Sequence, residues 1–141
     1  MFGMLTLPVL PPWRNGLRAG LTLCTGMLLW ISAAAAATLQ VAPGQSIQAA
    51  IDRAAAGDTI EIARAHYVEN LRITRPLTLR GIDRPTVSGG LKGDTIRIAA
   101  EDVTIEGLIV SDSGDSLREQ NAGIYLQPGS HRAVVRNCDI T

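Results

Sequence analysis

After residue 37, three side chains are of the soft or borderline types that can ligate copper: His66, His131 and Cys138. Imidazole nitrogen and thiolate sulfur are donors that this metal accepts. The two histidines are far apart in the sequence, and no methionine follows residue 37, so the soft donors form no cluster of the kind that holds Cu(I). We therefore treat the three residues as weak candidates for a metal site. In the alternative interpretation, Cys138 is a buried apolar residue and both histidines lie in solvated loops or turns.

A second chemistry to consider is acid–base catalysis on a polysaccharide, which needs two carboxylates, or a carboxylate and a basic group, on one face of the fold. Alternation of apolar and polar residues predicts four outward-pointing charged side chains: Arg72, Arg97, Glu106 and Asp139. The sequence selects no pair among them, and Tyr125 is the only good aromatic platform for a sugar ring. We therefore name no catalytic residue and no cofactor-binding residue.

Two polar segments contain residue types that occur in ligand-binding loops, but the spacing of these residues does not match any such loop. Asp112, Asp115 and Glu119 lie in the segment 111–120, and carboxylates suit calcium, but the spacing is not that of an EF-hand. We interpret this segment as a solvated insertion. The glycine-rich segment 89–93 lacks the spacing and the strand–loop–helix setting of a nucleotide-binding loop. We expect no phosphate binding of that kind there.

The composition limits the classes of protein to which the chain can belong. Its 141 residues include 13 Lys+Arg and 13 Asp+Glu, so the formal net charge is zero. That balance argues against a basic surface for nucleic acid, and we expect no nucleic-acid partner. Aromatic residues make up only 4% of the chain and hydrophobic residues 46%. A single domain with an aliphatic core is the expected result.

Residues 1–37 are predicted to be a signal peptide. Two arginines precede an uncharged apolar run, residues 19–31, and small residues follow that run up to Ala37. The run is shorter than the roughly 20 residues that span a bilayer, which makes an uncleaved membrane anchor the less favoured alternative. We expect cleavage near Ala37, export of a chain that begins near Thr38, and no stable membrane anchor in the mature protein.

The segment that follows opens with a short predicted helix. Ser46 is a good N-cap residue, and Gly57 is predicted to end the helix. The residues between them that share one helical face are apolar: Ile47, Ala50, Ile51 and Ala54. A helix over residues 46–55 can cover the first coil of a repeat fold, where unpaired strand edges and an open core are otherwise exposed.

Short strands with similar sequences recur through the remaining residues. Residues 77–82 match residues 103–108, both match residues 133–138, and a second series relates Ile96 to Ile124. Two interleaved strand series with a common period are typical of a solenoid. We predict an all-β, right-handed parallel β-helix. The lack of Asn-Gly or Asp-Gly turns between the strands argues against the alternative, an antiparallel sandwich.

The alignment of the repeats makes detailed structural predictions. Ile105 should be fully buried, stacked between Leu79 and Val135 on neighbouring coils. Three aligned positions are predicted to be coil corners with left-handed backbone angles, which Gly and Asn tolerate: Gly81, Gly107 and Asn137. The last residues form a strand series without a polar cap, so we expect residues 38–141 to be the N-terminal coils of a β-helix that is C-terminally incomplete here.

Several segments resemble known parallel β-helix proteins. Residues 45–54, 57–62 and 67–73 are similar to the entry of a large right-handed β-helix class, which includes pectin-active enzymes, mannuronan epimerases and NosD-type accessory proteins. Residues 76–110 and the motif Asn121-Ala122-Gly123-Ile124-Tyr125 narrow the resemblance to the NosD type.

That resemblance implies a function as well as a fold. NosD-type proteins are periplasmic and act with a membrane ABC transporter in assembling the copper centre of nitrous-oxide reductase, the terminal enzyme of denitrification. The resemblance implies that the chain is an accessory protein and not an enzyme, with copper as a potential ligand and with the transporter and the reductase as partners. The alternative function is that of a carbohydrate-active β-helix enzyme, either a polysaccharide lyase or a mannuronan epimerase.

Overall fold

The computed structural model describes residues 35–115 and 121–141. Most of the predicted signal peptide, residues 1–34, lies outside this part of the chain, and its prediction stands untested. The described residues form one helix and twelve short strands, in this order: β1 (Thr38–Val41), α1 (Ile47–Arg53), β2 (Thr59–Ile62), β3 (His66–Val68), β4 (Leu71–Ile73), β5 (Thr78–Gly81), β6 (Thr86–Ser88), β7 (Ile96–Ile98), β8 (Thr104–Glu106), β9 (Ile109–Ser111), β10 (Ile124–Leu126), β11 (Val134–Arg136) and β12 (Asp139–Ile140).

The strands form three sheets in which every neighbouring pair is parallel. Sheet A has the order β1-β2-β5-β8-β11, sheet B the order β3-β6-β9-β12, and sheet C the order β4-β7-β10. Each coil contributes one strand to each sheet in turn, as β2, β3 and β4 do in the first complete coil. This arrangement is a parallel β-helix, which confirms the predicted fold class and excludes the antiparallel sandwich.

The pairing register agrees with the sequence alignment of the repeats. Leu79 pairs with Ile105, and Ile105 pairs with Val135 in the next coil. In sheet C, Ile96 pairs with Ile124. Ile105 is fully buried, as predicted, because the side chains directly above and below it come from equivalent positions of the repeat.

Helix α1 caps the first coil through its apolar face. Ile47, Ala50, Ile51 and Ala54 are all buried, and the Ser46 hydroxyl accepts a hydrogen bond from the Ala49 amide as the N-cap. The part of the chain that the structure describes contains no helix long and apolar enough to cross a membrane.

The helix ends earlier than predicted, at Arg53, with Ala54 rather than Gly57 at its end. Ala54 adopts an extended conformation, with ψ at 142°, so the chain leaves the helix there. The buried carboxylate of Asp58 then accepts a hydrogen bond from the amide of Ala55 at 2.8 Å, which fixes the following turn. Gly57 lies in that turn with φ of +90°, an angle that favours glycine.

The helix also covers the first edge of sheet C. The Gln48 side-chain oxygen accepts from the Arg72 amide at 2.8 Å, and its NH2 group donates to the Arg72 carbonyl at 3.3 Å. The side-chain amide thereby takes the place of a neighbouring strand for β4. Glu69, just before β4, accepts from the amides of Ile47 and Gln48 and from the Ser46 hydroxyl, so helix and first coil are joined at the helix N-terminus.

The coil corners confirm two of the three predicted left-handed positions. Gly107 has φ of +71° and Asn137 φ of +53°. The prediction is wrong for Gly81, whose φ is not positive. Glycine is needed there for another reason, because the carbonyl oxygen of Gly107 in the next coil occupies the space that a Cβ atom would take. The left-handed angles of that corner fall instead on Asp83 and Arg84.

Candidate functional site

The three candidate metal ligands lie at different places in the β-helix. His66 is exposed and begins β3, so its prediction as a loop residue is wrong: it pairs with Thr86 as part of sheet B. His131 lies exposed in the turn before β11, as predicted. Cys138 is partly buried against the core, where the interpretation as an apolar ladder residue places it.

These residues do not assemble into a metal centre within residues 35–115 and 121–141. No group of three or more His, Cys, Asp or Glu side chains in these two stretches is arranged to hold a metal ion. The thiol of Cys138 instead lies 3.3 Å from the carbonyl oxygen of Arg136. The assignment of His66, His131 and Cys138 as metal ligands remains a prediction from the sequence alone.

The four outward charged residues are distributed over all three sheets. Arg72 and Arg97 lie on sheet C, Glu106 on sheet A and Asp139 on sheet B. Asp139 forms an ion pair with Arg84. The two carboxylates are therefore on different faces of the β-helix, and the structure does not bring them together as a catalytic pair.

Glu106 is part of a polar row that runs across the outer face of sheet A. The row, which we call the sheet A charge row, consists of residues in register on neighbouring strands: Gln40, Glu61, Arg80, Glu106 and Arg136. Glu106 accepts from Arg80 Nε at 2.5 Å and from Arg136 Nε at 2.7 Å. The hydrogen bond from Arg80, then that from Arg136, holds the pKa of the Glu106 carboxyl below its usual value. This carboxylate is thus a poor proton donor at neutral pH.

The outer face of sheet C carries a cleft instead of a charge-paired row. The cleft encloses about 340 Å³, and we call it the sheet C cleft; its lining residues are Asn70, Leu71, Arg72, Lys92, Gly93, Asp94 and Arg97. Its shape is fixed by the side-chain amide of Asn70, which donates to the carbonyl oxygens of Lys92 at 2.6 Å and Asp94 at 2.7 Å. The corner before β7 is therefore held against the start of β4.

Arg97 is the most constrained cation in the sheet C cleft. Its Nε and Nη2 atoms donate to one carboxylate oxygen of Asp94 at 2.8 and 2.6 Å. Asp94 is 7% exposed, and its other oxygen accepts from the amide of Ala122 in the next coil at 3.0 Å. The guanidinium carbon of Arg97 lies 5.5 Å from the centroid of the Tyr125 ring, which is a cation–π contact. Tyr125 therefore packs against a cation and is not a free platform.

The sequence analysis identified Arg72 and Arg97 but missed Lys92, Asn70 and Asp94. These three residues lie in coil corners, where the alternation of apolar and polar residues that marks a strand is interrupted. A signal was present in the sequence, since Asn70 and Asp94 each come just before a strand of sheet C. Recognising that corner position requires knowing where each coil turns.

In the polar insertion after β9, the first acidic residue, Asp112, is hydrogen-bonded within the chain. The Asp112 carboxylate accepts hydrogen bonds from the hydroxyls of Ser88 at 2.8 Å and Ser111 at 3.0 Å. These two bonds, with a smaller contribution from His66, lower the pKa of Asp112. Asp115 is exposed, and Glu119 lies outside the described residues. The prediction of a solvated insertion is therefore tested only up to Asp115.

The three sheets of parallel strands define the chain as a parallel β-helix protein. Over 79 residues it is 30% identical to a protein of Pseudomonas aeruginosa named probable ABC transporter binding protein NosD. The matched segment is 56% of this chain and 18% of that protein, so the chain spans less than a fifth of that relative's length. No family model matches the chain, and no solved structure matches it. The similarity supports a NosD-like relationship, in agreement with the resemblance noted in the sequence.

Proposed function

We propose that this chain is the scaffold of a NosD-like accessory protein that works with a membrane ABC transporter in the periplasm. The observation that carries the proposal is the 30% identity over 79 residues to a protein whose name describes it as binding an ABC transporter. A parallel β-helix suits such a role, because solenoids present long, continuous surfaces to their partners. The proposed process is assembly of the copper centre of nitrous-oxide reductase, with copper as cargo and not as a resident cofactor.

The outer face of the β-helix supports a binding role more than a catalytic one. Glu106 is kept ionised by two arginines, and Asp139 is paired with Arg84 on another face. An acid–base mechanism needs one carboxyl group that can hold a proton near a second group. We therefore expect the purified chain to have neither polysaccharide lyase nor mannuronan epimerase activity, which assays for unsaturated uronate products and for C5 inversion will measure.

The proposal is tested by deleting the gene in a denitrifying host and purifying the reductase from that strain. We expect reductase that is exported but contains much less copper at its catalytic centre than the wild-type enzyme. Restoring the gene on a plasmid is the control and should restore the copper content. A fully metallated, active reductase from the deletion strain would reject the proposal.

A carbohydrate-active enzyme is the second candidate, favoured by one observation. The sheet C cleft is lined by Arg72, Lys92 and Arg97, and cationic side chains of this kind bind the carboxylate of an acidic sugar. Cleavage or epimerisation of a polyuronate by the purified chain would shift the assignment to this candidate.

A further inference from the structure

Sheet C places two arginines side by side, and of the two only Arg97 has an acidic partner among the described residues. Arg72 and Arg97 are direct partners in the register of β4 and β7. Like charges directly opposite one another on neighbouring strands are destabilising. Within residues 35–115 and 121–141, neither Arg72 nor Lys92 forms an ion pair. Arg72 therefore faces Arg97 without an acidic partner of its own in this part of the chain.

One cation of the sheet C cleft, Arg97, is held in a fixed position. Arg97 is held on one side by the buried carboxylate of Asp94 and on the other by the ring of Tyr125. Lys92 lies in a corner whose backbone is fixed by Asn70. Positively charged groups that are fixed before the ligand arrives lose little conformational entropy when it binds. Arg97 is therefore the preorganised cation of the cleft, and Arg72 and Lys92 are exposed side chains that line the same cleft.

The formal charge of the sheet C cleft selects the kind of anion. Three cations, Arg72, Lys92 and Arg97, face one carboxylate, Asp94, so the lining residues carry a net charge of +2. A single carboxylate ligand would leave one positive charge uncompensated. A phosphate monoester carries about −1.5 to −2 at pH 7 and has three acceptor oxygens, and inorganic phosphate is mostly a dianion slightly above neutral pH. Arginine and the lysine ammonium group are the usual side-chain partners of such an oxyanion. Arg97 already uses its Nε and Nη2 atoms on Asp94, so it contributes to the site through its charge and its Nη1 group.

We propose that the sheet C cleft binds a phosphate dianion, either inorganic phosphate or the terminal phosphate of a monoester, through Arg72, Lys92 and Arg97. The glycine-rich segment 89–93 is not a nucleotide-binding loop, in agreement with its sequence. Its Lys92 supplies a side-chain contact, and the corner does not cradle the anion with backbone amides. The site is independent of the transporter and the reductase, so its test does not depend on the proposed function.

The experiment is isothermal titration calorimetry of the purified chain at low salt and pH 7.5 with two matched ligands. Methyl phosphate is a dianion, and dimethyl phosphate is a monoanion of similar size that also mimics the diester of a phospholipid head group. We expect saturable binding of methyl phosphate and of inorganic phosphate, and binding of dimethyl phosphate that is roughly tenfold weaker or more. The affinity for methyl phosphate should fall as the pH drops below the second phosphate pKa, about 6.

Two substitutions locate the site. Arg72→Gln and Lys92→Gln should each weaken methyl phosphate binding by roughly tenfold. Arg64→Gln is the matched control, because Arg64 is an exposed arginine in the turn between β2 and β3 and does not line the cleft; its affinity should be unchanged. Arg97 is left intact, since its loss would leave the buried Asp94 carboxylate without its partner.

Three results would overturn the proposal. The first is no saturable heat with inorganic or methyl phosphate. The second is equal or tighter binding of dimethyl phosphate, which would indicate a lipid head group or unspecific attraction. The third is the same loss of affinity in Arg64→Gln as in Arg72→Gln. Circular dichroism of each variant verifies that the β-helix is folded, so that a loss of binding can be assigned to the cleft.

Discussion

Sheets A and C belong to the same coils but arrange their outward charges in opposite ways. In the sheet A charge row, acidic and basic residues alternate from strand to strand, and Glu106 bridges two arginines. On sheet C, Arg72 and Arg97 are neighbours of like charge. Both faces are built by the same parallel register, so the fold does not account for the difference.

The difference follows from what a parallel ladder does to side chains. It stacks equivalent positions of successive coils about 4.8 Å apart, so any charge meets the charge of the next coil. When the signs alternate, each charge has an opposite charge on the neighbouring strand. The sheet A charge row is a stack of this kind. In the like-signed pair of sheet C, Arg97 has the carboxylate of Asp94 as its partner, whereas Arg72 forms no ion pair within the described residues. Sheet A therefore stabilises the coil stack, and sheet C is the face available for a ligand.

The largest expected change in stability comes from a substitution in the hydrophobic core, which sheets A and C share. Ile105→Asp would place a carboxylate at a fully buried position in an aliphatic stack between Leu79 and Val135. We expect a loss of about 4 kcal/mol or more in the free energy of unfolding, measured by urea denaturation.

The control for that substitution is Val135→Asp, one coil further along the same ladder. Val135 is 40% exposed, so its carboxylate would remain hydrated and the loss should be much smaller. Equal losses for Ile105→Asp and Val135→Asp would contradict the ladder model of the core.

The next effect concerns the first edge of sheet C. Gln48→Ala removes the two hydrogen bonds that the side chain makes with the backbone of Arg72. We expect the free energy of unfolding to fall by about 1 kcal/mol, since the edge groups can turn to water. Asp52→Ala, which removes only the helical bond to Gln48, should cost less, and an equal cost would mean that Gln48 acts within the helix alone.

Much of this fold can be predicted from the sequence, because a parallel ladder repeats its residues in order. The matched hydrophobic positions of Leu79, Ile105 and Val135 were sufficient to predict the strand register. The requirement at Gly81 could not be found in this way, since it depends on how closely the backbone of the next coil approaches. For a similar reason, only some of the residues that line the sheet C cleft could be predicted. Its arginines follow strand alternation, whereas Lys92 reaches the cleft from a corner whose path no local pattern specifies.

A smaller effect is expected in the sheet A charge row, where the stabilising contribution of Glu106 should depend on pH. Glu106 has a lowered pKa in the folded protein, so it adds stability above its unfolded-state pKa, and this contribution is lost as the pH falls through the folded-state value. Glu106→Gln should therefore cost up to about 1 kcal/mol at pH 7, where its arginine partners are largely solvated. The difference from wild type should shrink as the pH falls below about 4. A difference that stays constant from pH 7 to pH 3 would show that the charge of Glu106 is not what stabilises the row.

The smallest expected effect reverses the charge of one member of the sheet C pair. Arg72→Glu would place a carboxylate beside Arg97 and give sheet C the alternating pattern of sheet A. We expect a gain of a few tenths of a kcal/mol in the free energy of unfolding, since opposite charges on neighbouring strands attract, together with loss of methyl phosphate binding. Arg80→Glu is the mirror experiment. It would place a third carboxylate between Glu61 and Glu106, so that three carboxylates stand in a row, and it should lower stability. If Arg72→Glu lowered stability as Arg80→Glu does, the arginine at position 72 would be a structural residue, and the contrast between the two faces would not reflect ligand binding.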